Sequence, residues 1–236
     1  MRSVSHARPA VKSGAKRAYD VSGRQATALK TRRRILDSAQ KLFLDRGYAS
    51  TSMNVIAETA GVSIETIYLS IGSKGAIVRF LVERALSGED TPVPASERKG
   101  TMEIMGEARP DVKVRMFAGV VRRLQERLGP IWAVVREAAP GDAELQSFIA
   151  KLNERHVGNM RLFVEHLAAA GALRQRLSRA SAGDVVWAMN SPEFYRLLVI
   201  ERGWSGDAFE RFLGDALQRL LLTAEDPSEP QSPGRA

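Results

Sequence analysis

The sequence has no cysteine among its 236 residues. Disulfide frameworks, and zinc or iron–sulfur sites with cysteine ligands, are therefore excluded, and a reducing cytoplasm suits the chain. No apolar run approaches the length of a membrane span, so we expect no membrane segment. The N-terminus is basic, but no apolar segment follows it, which does not fit a secretory signal.

Histidines are few, and catalytic motifs are missing. His156 and His166 lie ten residues apart, which does not fit the four-residue spacing of a two-histidine zinc site on a helix, and His6 lies far away at the N-terminus. The sequence contains neither a glycine-rich phosphate loop nor a nucleophile elbow. These absences argue against an enzyme, and we expect no cofactor and no metal.

Positive charge is plentiful and unevenly placed. Residues 1–34 hold ten Lys and Arg residues against one acidic residue, Asp20, while the rest of the chain is close to neutral. This excess of +9 favours a polyanionic partner, because each phosphate that is neutralised releases counterions. A solvated tail that only aids solubility explains the charge equally well.

The hydrophobic pattern divides the chain into five segments. Residues 1–26 have almost no large apolar side chains and are predicted to be a disordered basic arm. Residues 27–86 have helical spacing of apolar residues, and 87–99 lose it, which predicts a linker. Residues 100–223 are helical again, and the proline-containing segment 224–236 is predicted to be a disordered tail. The predicted fold class is all-α.

Proline and serine positions predict helix starts in the second half of the chain. Pro110 is expected to open a helix that ends near Leu128, and Pro130 to open a separate one. Ser181 and Ser205 are expected to cap later helices.

Residues 51–71 show the pattern of a helix-turn-helix within a three-helix N-terminal domain. Such a motif needs a small residue where its helices cross, a residue that tolerates positive φ in the turn, and an apolar residue that holds the second helix to the first. Ala57, Gly61 and Ile67 meet these needs in order. The Ala-x3-Gly spacing alone is common in helical proteins.

A longer string of residues surrounds this motif. It is Ile35-Leu36-(x2)-Ala39-(x3)-Phe43-(x3)-Gly47-Tyr48-(x2)-Thr51-(x4)-Ile56-Ala57-(x2)-Ala60-Gly61-Val62-Ser63-(x2)-Thr66-Ile67-Tyr68-(x4)-Ser73-Lys74. The string resembles the N-terminal signature of the TetR (tetracycline-repressor) family, in order and without gaps, over about residues 30–85.

The resemblance implies which residues contact double-stranded DNA. Residues at the start of the recognition helix contact bases, and Lys74 at the start of the next helix binds phosphate. The expected set is Arg32, Arg33, Arg34, Thr51, Ser52, Ser63, Ile64, Glu65, Thr66, Tyr68, Leu69 and Lys74. Glu65 suits an acceptor for cytosine N4, or equally an acidic residue that the helix dipole favours. Two positions depart from the family: Ile71, where an aromatic residue is usual, and Ser70, where histidine is frequent.

The C-terminal half resembles one subgroup of the same family, from Asp184 to Leu198 and at Gly203-Trp204-Ser205. The resemblance implies a homodimer formed through the last helices. The apolar stripe available for it is Phe209, Phe212, Leu213, Ala216, Leu217, Leu220 and Leu221. The alternative is that the whole stripe is core within one chain.

The resemblance also implies a small-molecule effector, bound among the middle helices. The candidate lining residues are Phe117, Trp132, Val135, Leu152, His156, Met160, Phe163 and Trp187. For each of them, ordinary core packing is the competing interpretation.

The expected function is therefore a ligand-responsive repressor that binds a palindromic operator as a dimer. A transcriptional activator is one alternative. A constitutive, nucleoid-type architectural protein is another, which the basic arm supports and the large second domain does not.

Overall fold

The structure is a computed structural model that describes the backbone of residues 14–223 and the side chains of residues 23–223. Its helices are α1 (Gly14–Arg46), α2 (Met53–Ala60), α3 (Ile64–Ser70), α4 (Lys74–Ser87), α5 (Lys99–Gly106), α6 (Pro110–Ala138), α7 (Ala143–Ala169), α8 (Arg179–Met189), α9 (Pro192–Tyr195) and α10 (Gly206–Leu221). Within residues 14–223 no β-sheet forms, and the predicted all-α class is confirmed. None of these helices combines the length and apolar character needed to cross a bilayer.

Helix α1 begins earlier than the sequence predicts. The prediction of disorder over 1–26 is wrong from Gly14 onward, because α1 is continuous from Gly14 to Arg46. Ala, Lys, Arg and Gln are good helix formers, and they extend a helix that is anchored by the buried Ile35 and Leu36. Residues 1–13 and the predicted tail 224–236 lie outside the described residues.

The predicted helix-turn-helix forms between α2 and α3. Gly61 has φ 62°, in the left-handed region, and its N–H donates to the carbonyls of Ala57 and Glu58 at the end of α2. Ser52 caps α2 and Ser63 caps α3, each accepting a hydrogen bond from a backbone N–H in the first turn. Glycine is favoured at the turn because a side chain there would cost about 1–2 kcal/mol of backbone strain.

A first hydrophobic core joins the N-terminal helices to the second half of the chain. Ile35, Ile56, Ile67 and Ile77, from α1 to α4, are all fully buried in it. The same core contains Leu128, Ile131, Val134, Val135 and Ala138 of α6 and Leu145 of α7. The helix-turn-helix is therefore not packed as a separate unit, since its core continues into α6.

Helix α6 corrects the prediction of two helices, because it runs unbroken from Pro110 to Ala138 with Pro130 inside it. Proline lacks an N–H and crowds the carbonyl four residues earlier, which ordinarily breaks a helix. Here Leu128 and Ile131, on either side of Pro130, are both buried in the first core. This packing holds the helix together across the proline.

Three further boundaries differ from the predictions. Helix α5 starts at Lys99, inside the linker expected over 87–99. Ser178, not Ser181, caps α8, because the Ser178 hydroxyl accepts from the Ser181 N–H. After α9 the chain continues as a π-helical stretch, Arg196–Glu201, before Ser205 caps α10 as predicted.

A second hydrophobic core fills the other end of α6. It contains Val114, Phe117 and Val121 of α6, together with residues of α7, α8 and α10. Phe117 and Phe163 stack with ring centroids 4.5 Å apart. Helix α6 thus forms one wall of both cores.

Candidate nucleic-acid interface

Helix α3 presents one side to solvent and buries the other. Tyr68 is 55% exposed and Leu69 is 89% exposed, whereas Ile67 is fully buried. Glu65 is also exposed and Thr66 is half-buried. Leu29 and Leu44 of α1 are exposed as well, so exposure alone does not single out Leu69; its place on α3 suits contact with a thymine methyl group.

The start of α3 is held by its own hydroxyls. The Ser63 Oγ accepts from the Thr66 N–H at 3.2 Å and lies 3.0 Å from the Thr66 Oγ1. Glu65 receives hydrogen bonds from its own backbone N–H and from Ser63, which lower the pKa of its carboxyl. Its carboxylate is therefore an acceptor at neutral pH. Both interpretations of Glu65, as a partner for cytosine N4 and as a residue favoured by the helix dipole, accommodate this geometry.

Thr51 and Ser52 have different surroundings. Thr51 is fully buried, and its hydroxyl donates to the Gly47 carbonyl at 2.9 Å. This placement is incompatible with the phosphate contact expected of Thr51. Ser52 is exposed at the start of α2 and keeps that option.

Arg32 and Arg34 are bonded to the ends of the motif's helices. Arg32 donates to the Ser70 carbonyl at 3.2 Å and lies 4.0 Å from the centre of the Phe80 ring. Arg34 donates from Nε to the Ala60 carbonyl at 3.1 Å and from Nη2 to the Gly61 carbonyl at 2.9 Å. Cations are favoured at helix C-termini, so both guanidinium groups stabilise α2 and α3. Arg34 is nevertheless exposed and Arg32 is half-buried, so contact of either residue with DNA stays a prediction.

Arg33 points another way. Its guanidinium forms ion pairs with Asp37 at 4.0 Å and Asp90 at 3.4 Å, and its side chain is 65% exposed. An exposed pair of this kind contributes little to stability and is easily exchanged for a phosphate.

Lys74 lies in a cluster that links α4, the turn after α1, and α6. Its Nζ donates to the Tyr48 carbonyl at 2.5 Å and lies 4.0 Å from the centre of the Tyr48 ring. The Glu137 carboxylate of α6 accepts from the N–H groups of Tyr48 at 2.8 Å and Ala49 at 2.7 Å. These hydrogen bonds lower the pKa of Glu137, while burial lowers the pKa of Lys74. Glu137 was not anticipated from the sequence.

An open cleft of about 760 Å³ separates the N-terminal half of α1 from α3. Its α1 wall is formed by Gly23, Arg24, Thr27, Ala28 and Thr31, and its α3 wall by Thr66, Leu69 and Ser70. The lining includes four hydroxyl side chains and one guanidinium, with no acidic residue among these eight.

The candidate effector residues fall into two groups. Trp132, Val135 and Leu152 pack in or against the first core, and Phe117, Met160, Phe163 and Trp187 in or against the second. His156 is half-buried between the two. The structure therefore does not bring all eight residues to one place.

A polar layer that includes His156 separates the two cores. Gln125 is 1% exposed, between Val121 of the second core and Leu128 of the first, and its Nε2 donates to the Asn190 carbonyl at 2.7 Å. Asn190 is 4% exposed, and its Nδ2 lies 3.0 Å from the His156 Nε2. Gln125 Oε1 and Asn190 Oδ1 are buried and accept no hydrogen bond from the described residues. A polar residue on the apolar face of α6 was the available sequence signal.

The apolar stripe of α10 is divided between core and surface. Phe209, Leu213, Leu217 and Leu221 are fully buried within the chain. Phe212 and Leu220 are 40% and 47% exposed. The neighbouring π-helical stretch also exposes Leu197 and Ile200.

Residues 35–80 match the family model described as bacterial regulatory proteins, tetR family. These residues are a TetR-family domain. The match covers the packed part of α1, all of α2 and α3, and the first half of α4. In a helix-turn-helix of this type, the helix at the position of α3 is the recognition helix.

Two curated regulators resemble the chain in sequence. It is 33% identical over 79 residues to the probable HTH-type transcriptional regulator ArpR of Pseudomonas putida, covering 34% of this chain and 38% of that protein. It is 34% identical over 73 residues to the HTH-type transcriptional regulator UidR of Escherichia coli K12, covering 29% and 37%. The chain thus matches less than two fifths of the length of each.

Solved structures resemble the chain over nearly their whole length. The TetR-family regulator PfmR of Thermus thermophilus matches with a TM-score of 0.57 and 24% identity, over 81% of this chain and 96% of PfmR. Native NalD of Pseudomonas aeruginosa matches at 0.65 with 18% identity, over 84% and 99%. A SmeT–triclosan complex matches at 0.61 with 17% identity, over 88% and 100%. The TetR-type domain and the helical second half together therefore have the TetR-family fold.

Proposed function

We propose that this chain is a transcriptional regulator that binds a near-palindromic DNA operator as a homodimer. The observation that carries the proposal is the exposed side of α3, where Glu65, Tyr68 and Leu69 project from a rigidly capped helix. A helix with side chains is 10–12 Å across, which matches the major groove of B-DNA. We further propose that the regulator is a repressor, as is NalD, the secondary repressor of a multidrug efflux pump.

Dimerisation supplies the symmetry that a palindromic site requires. Leu197, Ile200, Phe212 and Leu220 leave apolar surface on the last two helical segments, next to residues already buried in the second core. Such a surface suits a two-fold contact in which the same patch of each subunit meets its copy.

Selection from random DNA tests the proposal. We expect enrichment of an inverted repeat whose half-sites lie about 34–36 Å apart, or a multiple of that distance. Binding of the full-length chain by anisotropy should then favour the selected site over scrambled DNA of the same composition. If no inverted repeat is enriched and the chain binds DNAs of different sequence with equal affinity, sequence-specific regulation is refuted and an architectural role is favoured.

An effector that regulates DNA binding is a second part of the proposal. The two buried carbonyl oxygens of Gln125 and Asn190 suit a largely apolar molecule that carries an N–H or O–H donor. Triclosan is a reasonable first probe, because SmeT is known in complex with it. An effector must bind one conformation better than another, so triclosan should change both the melting temperature and the affinity for the operator. A change in melting temperature alone would indicate binding without regulation.

A further inference from the structure

The cleft between α1 and α3 has a definite relation to any DNA that α3 contacts. Helix α3 with its side chains fills the width of the major groove, about 12 Å, so the sugar–phosphate strands that border the groove must pass directly beside α3. On one side, the space directly beside α3 is this cleft. The far wall is the N-terminal half of α1, which extends past the packed part of the domain.

We infer that the cleft holds one sugar–phosphate strand of the operator, with α1 as an outer wall. The inference rests on the proposed function, since it requires α3 to lie in the major groove. It assigns DNA contact to Arg24, Thr27, Ala28 and Thr31, a segment of α1 that precedes the residues matching the TetR family model.

The chemistry of the lining fits a phosphodiester strand. Thr27, Thr31, Thr66 and Ser70 place hydroxyls on both walls, and hydroxyls are frequent partners of phosphate oxygens. The hydroxyls of Thr27 and Ser70 donate to carbonyls of their own helices and would turn from them to meet a phosphate. Leu69 and Ala28 supply apolar surface suited to the sugar. Lys30 is exposed on the same stretch of α1, and residues 1–34 carry a net charge of +9, which complements the strand.

The wall is helical, which distinguishes it from a flexible basic tail. Residues 23–31 rise about 13 Å along the helix axis at 1.5 Å per residue. Ala28 lines the cleft, whereas Ala26 does not, although both are exposed. Ala26 and Ala28 lie about 200° apart around the helix. The same substitution therefore changes the net charge equally at both positions, but places the new charge near the strand only at position 28.

The test compares Ala28→Glu with Ala26→Glu in the full-length chain, on operator DNA obtained by selection. We expect Ala28→Glu to weaken binding about tenfold or more, because its carboxylate lies against phosphate. Ala26→Glu should weaken binding far less. Ala28→Lys should tighten binding and steepen the dependence of log affinity on log salt by about 0.9, the value for one additional phosphate contact. Circular dichroism should show unchanged helicity in each variant.

The outcomes separate this inference from the proposed function. If wild-type protein selects an operator but both Ala→Glu variants lose affinity equally, the strand does not occupy the cleft, and the proposed function stands. If Ala28→Glu changes the sedimentation coefficient instead of the affinity, the cleft holds a second copy of the chain, and the inference is wrong. If the wild-type chain binds no DNA, both this inference and the proposed function are wrong.

Discussion

Arg34 crosses from α1 to the turn of the helix-turn-helix and donates to the carbonyls of Ala60 and Gly61. Arg33, its neighbour in sequence, pairs instead with exposed carboxylates. Both arginines count equally in the charge excess that the sequence shows, yet only the three-dimensional packing reveals which partner each one has. Hydrogen bonds to carbonyls leave the charges of Arg32 and Arg34 intact, whereas the carboxylates of Asp37 and Asp90 partly offset the charge of Arg33.

Replacing Arg34 by Met should destabilise the TetR-type domain. The variant keeps most of the side chain's length but loses the charge at the end of α2 and leaves two carbonyls without their donor. We expect the free energy of unfolding to fall by about 1–2 kcal/mol. Chemical denaturation measures it, with Arg33→Met as the matched control, which should lose less than about 1 kcal/mol because its ion pairs are exposed. If Arg34→Met leaves stability unchanged but weakens DNA binding, Arg34 acts as a DNA contact and not as a stabiliser of α2.

Local sequence signals predict most helix starts correctly. They give wrong boundaries where contacts with distant parts of the chain determine the structure. Ser205 caps α10 as residue type and spacing predicted, and Ser52, Ser63 and Ser73 cap α2, α3 and α4 through the same local hydrogen bond. Pro130 misled for the opposite reason: a break is the local preference, and burial of the flanking residues in the first core overrides it.

The prediction of where α1 starts was wrong in the other direction, because the helix begins earlier than expected. Absence of large apolar residues predicted disorder before Thr27, but good helix formers need no core of their own when they continue an anchored helix. The candidate DNA-contact residues on α3 could be placed from the motif alone. The cleft could not, because it depends on where α1 lies relative to α3.

The division of the α10 stripe leads to a prediction about assembly. Leu220→Glu places a charge on the exposed side of α10 while the buried Leu217 and Leu221 remain in the second core. If the exposed side is the two-fold interface, two such charges oppose each other across it and the dimer dissociates. Analytical ultracentrifugation should show a monomer at concentrations where wild type is a dimer.

Leu44→Glu is the matched control for this experiment. Leu44 lies on α1 and is 46% exposed, close to the 47% of Leu220. Its variant should remain a dimer. Identical sedimentation of wild type and Leu220→Glu would show that this part of α10 lies outside any interface.

For the whole molecule, α6 determines how the two halves are connected. Its C-terminal part belongs to the first core with the TetR-type domain, and its N-terminal part belongs to the second core. Glu137 bonds the turn after α1 to the end of α6, and the Asp142 carboxylate before α7 lies against Gly75 of α4, where there is no room for a Cβ. A shift at the end of α6 would therefore move the turn between α1 and α2, which belongs to the TetR-type domain.

The polar layer between the cores should make stability depend on pH. His156 is held in an environment that lowers its pKa below the ordinary 6.5, because burial disfavours the charged imidazolium. The Asn190 amide nitrogen, 3.0 Å away, donates to a neutral Nε2, and protonation would set two donors against each other. The unfolded chain therefore binds this proton more readily than the folded chain. The contribution of His156 is complete above about pH 6.5 and is lost as the pH falls through that value towards the lower folded pKa.

The variant His156→Gln removes the titration but keeps an oxygen that accepts from Asn190. Its melting temperature should differ from wild type by a constant amount at pH 7.5 and above. As the pH falls from about 6.5 to 5, wild type should lose stability relative to the variant, because only wild type must keep a buried imidazole neutral. His166→Gln, on the exposed side of the same α7, controls for the loss of one imidazole. If the melting temperatures of wild type and His156→Gln run parallel over this pH range, burial does not lower the pKa of the His156 imidazole. A loss confined to wild type and His166→Gln would place the titrating group in the polar layer, between α6, α7 and the end of α8.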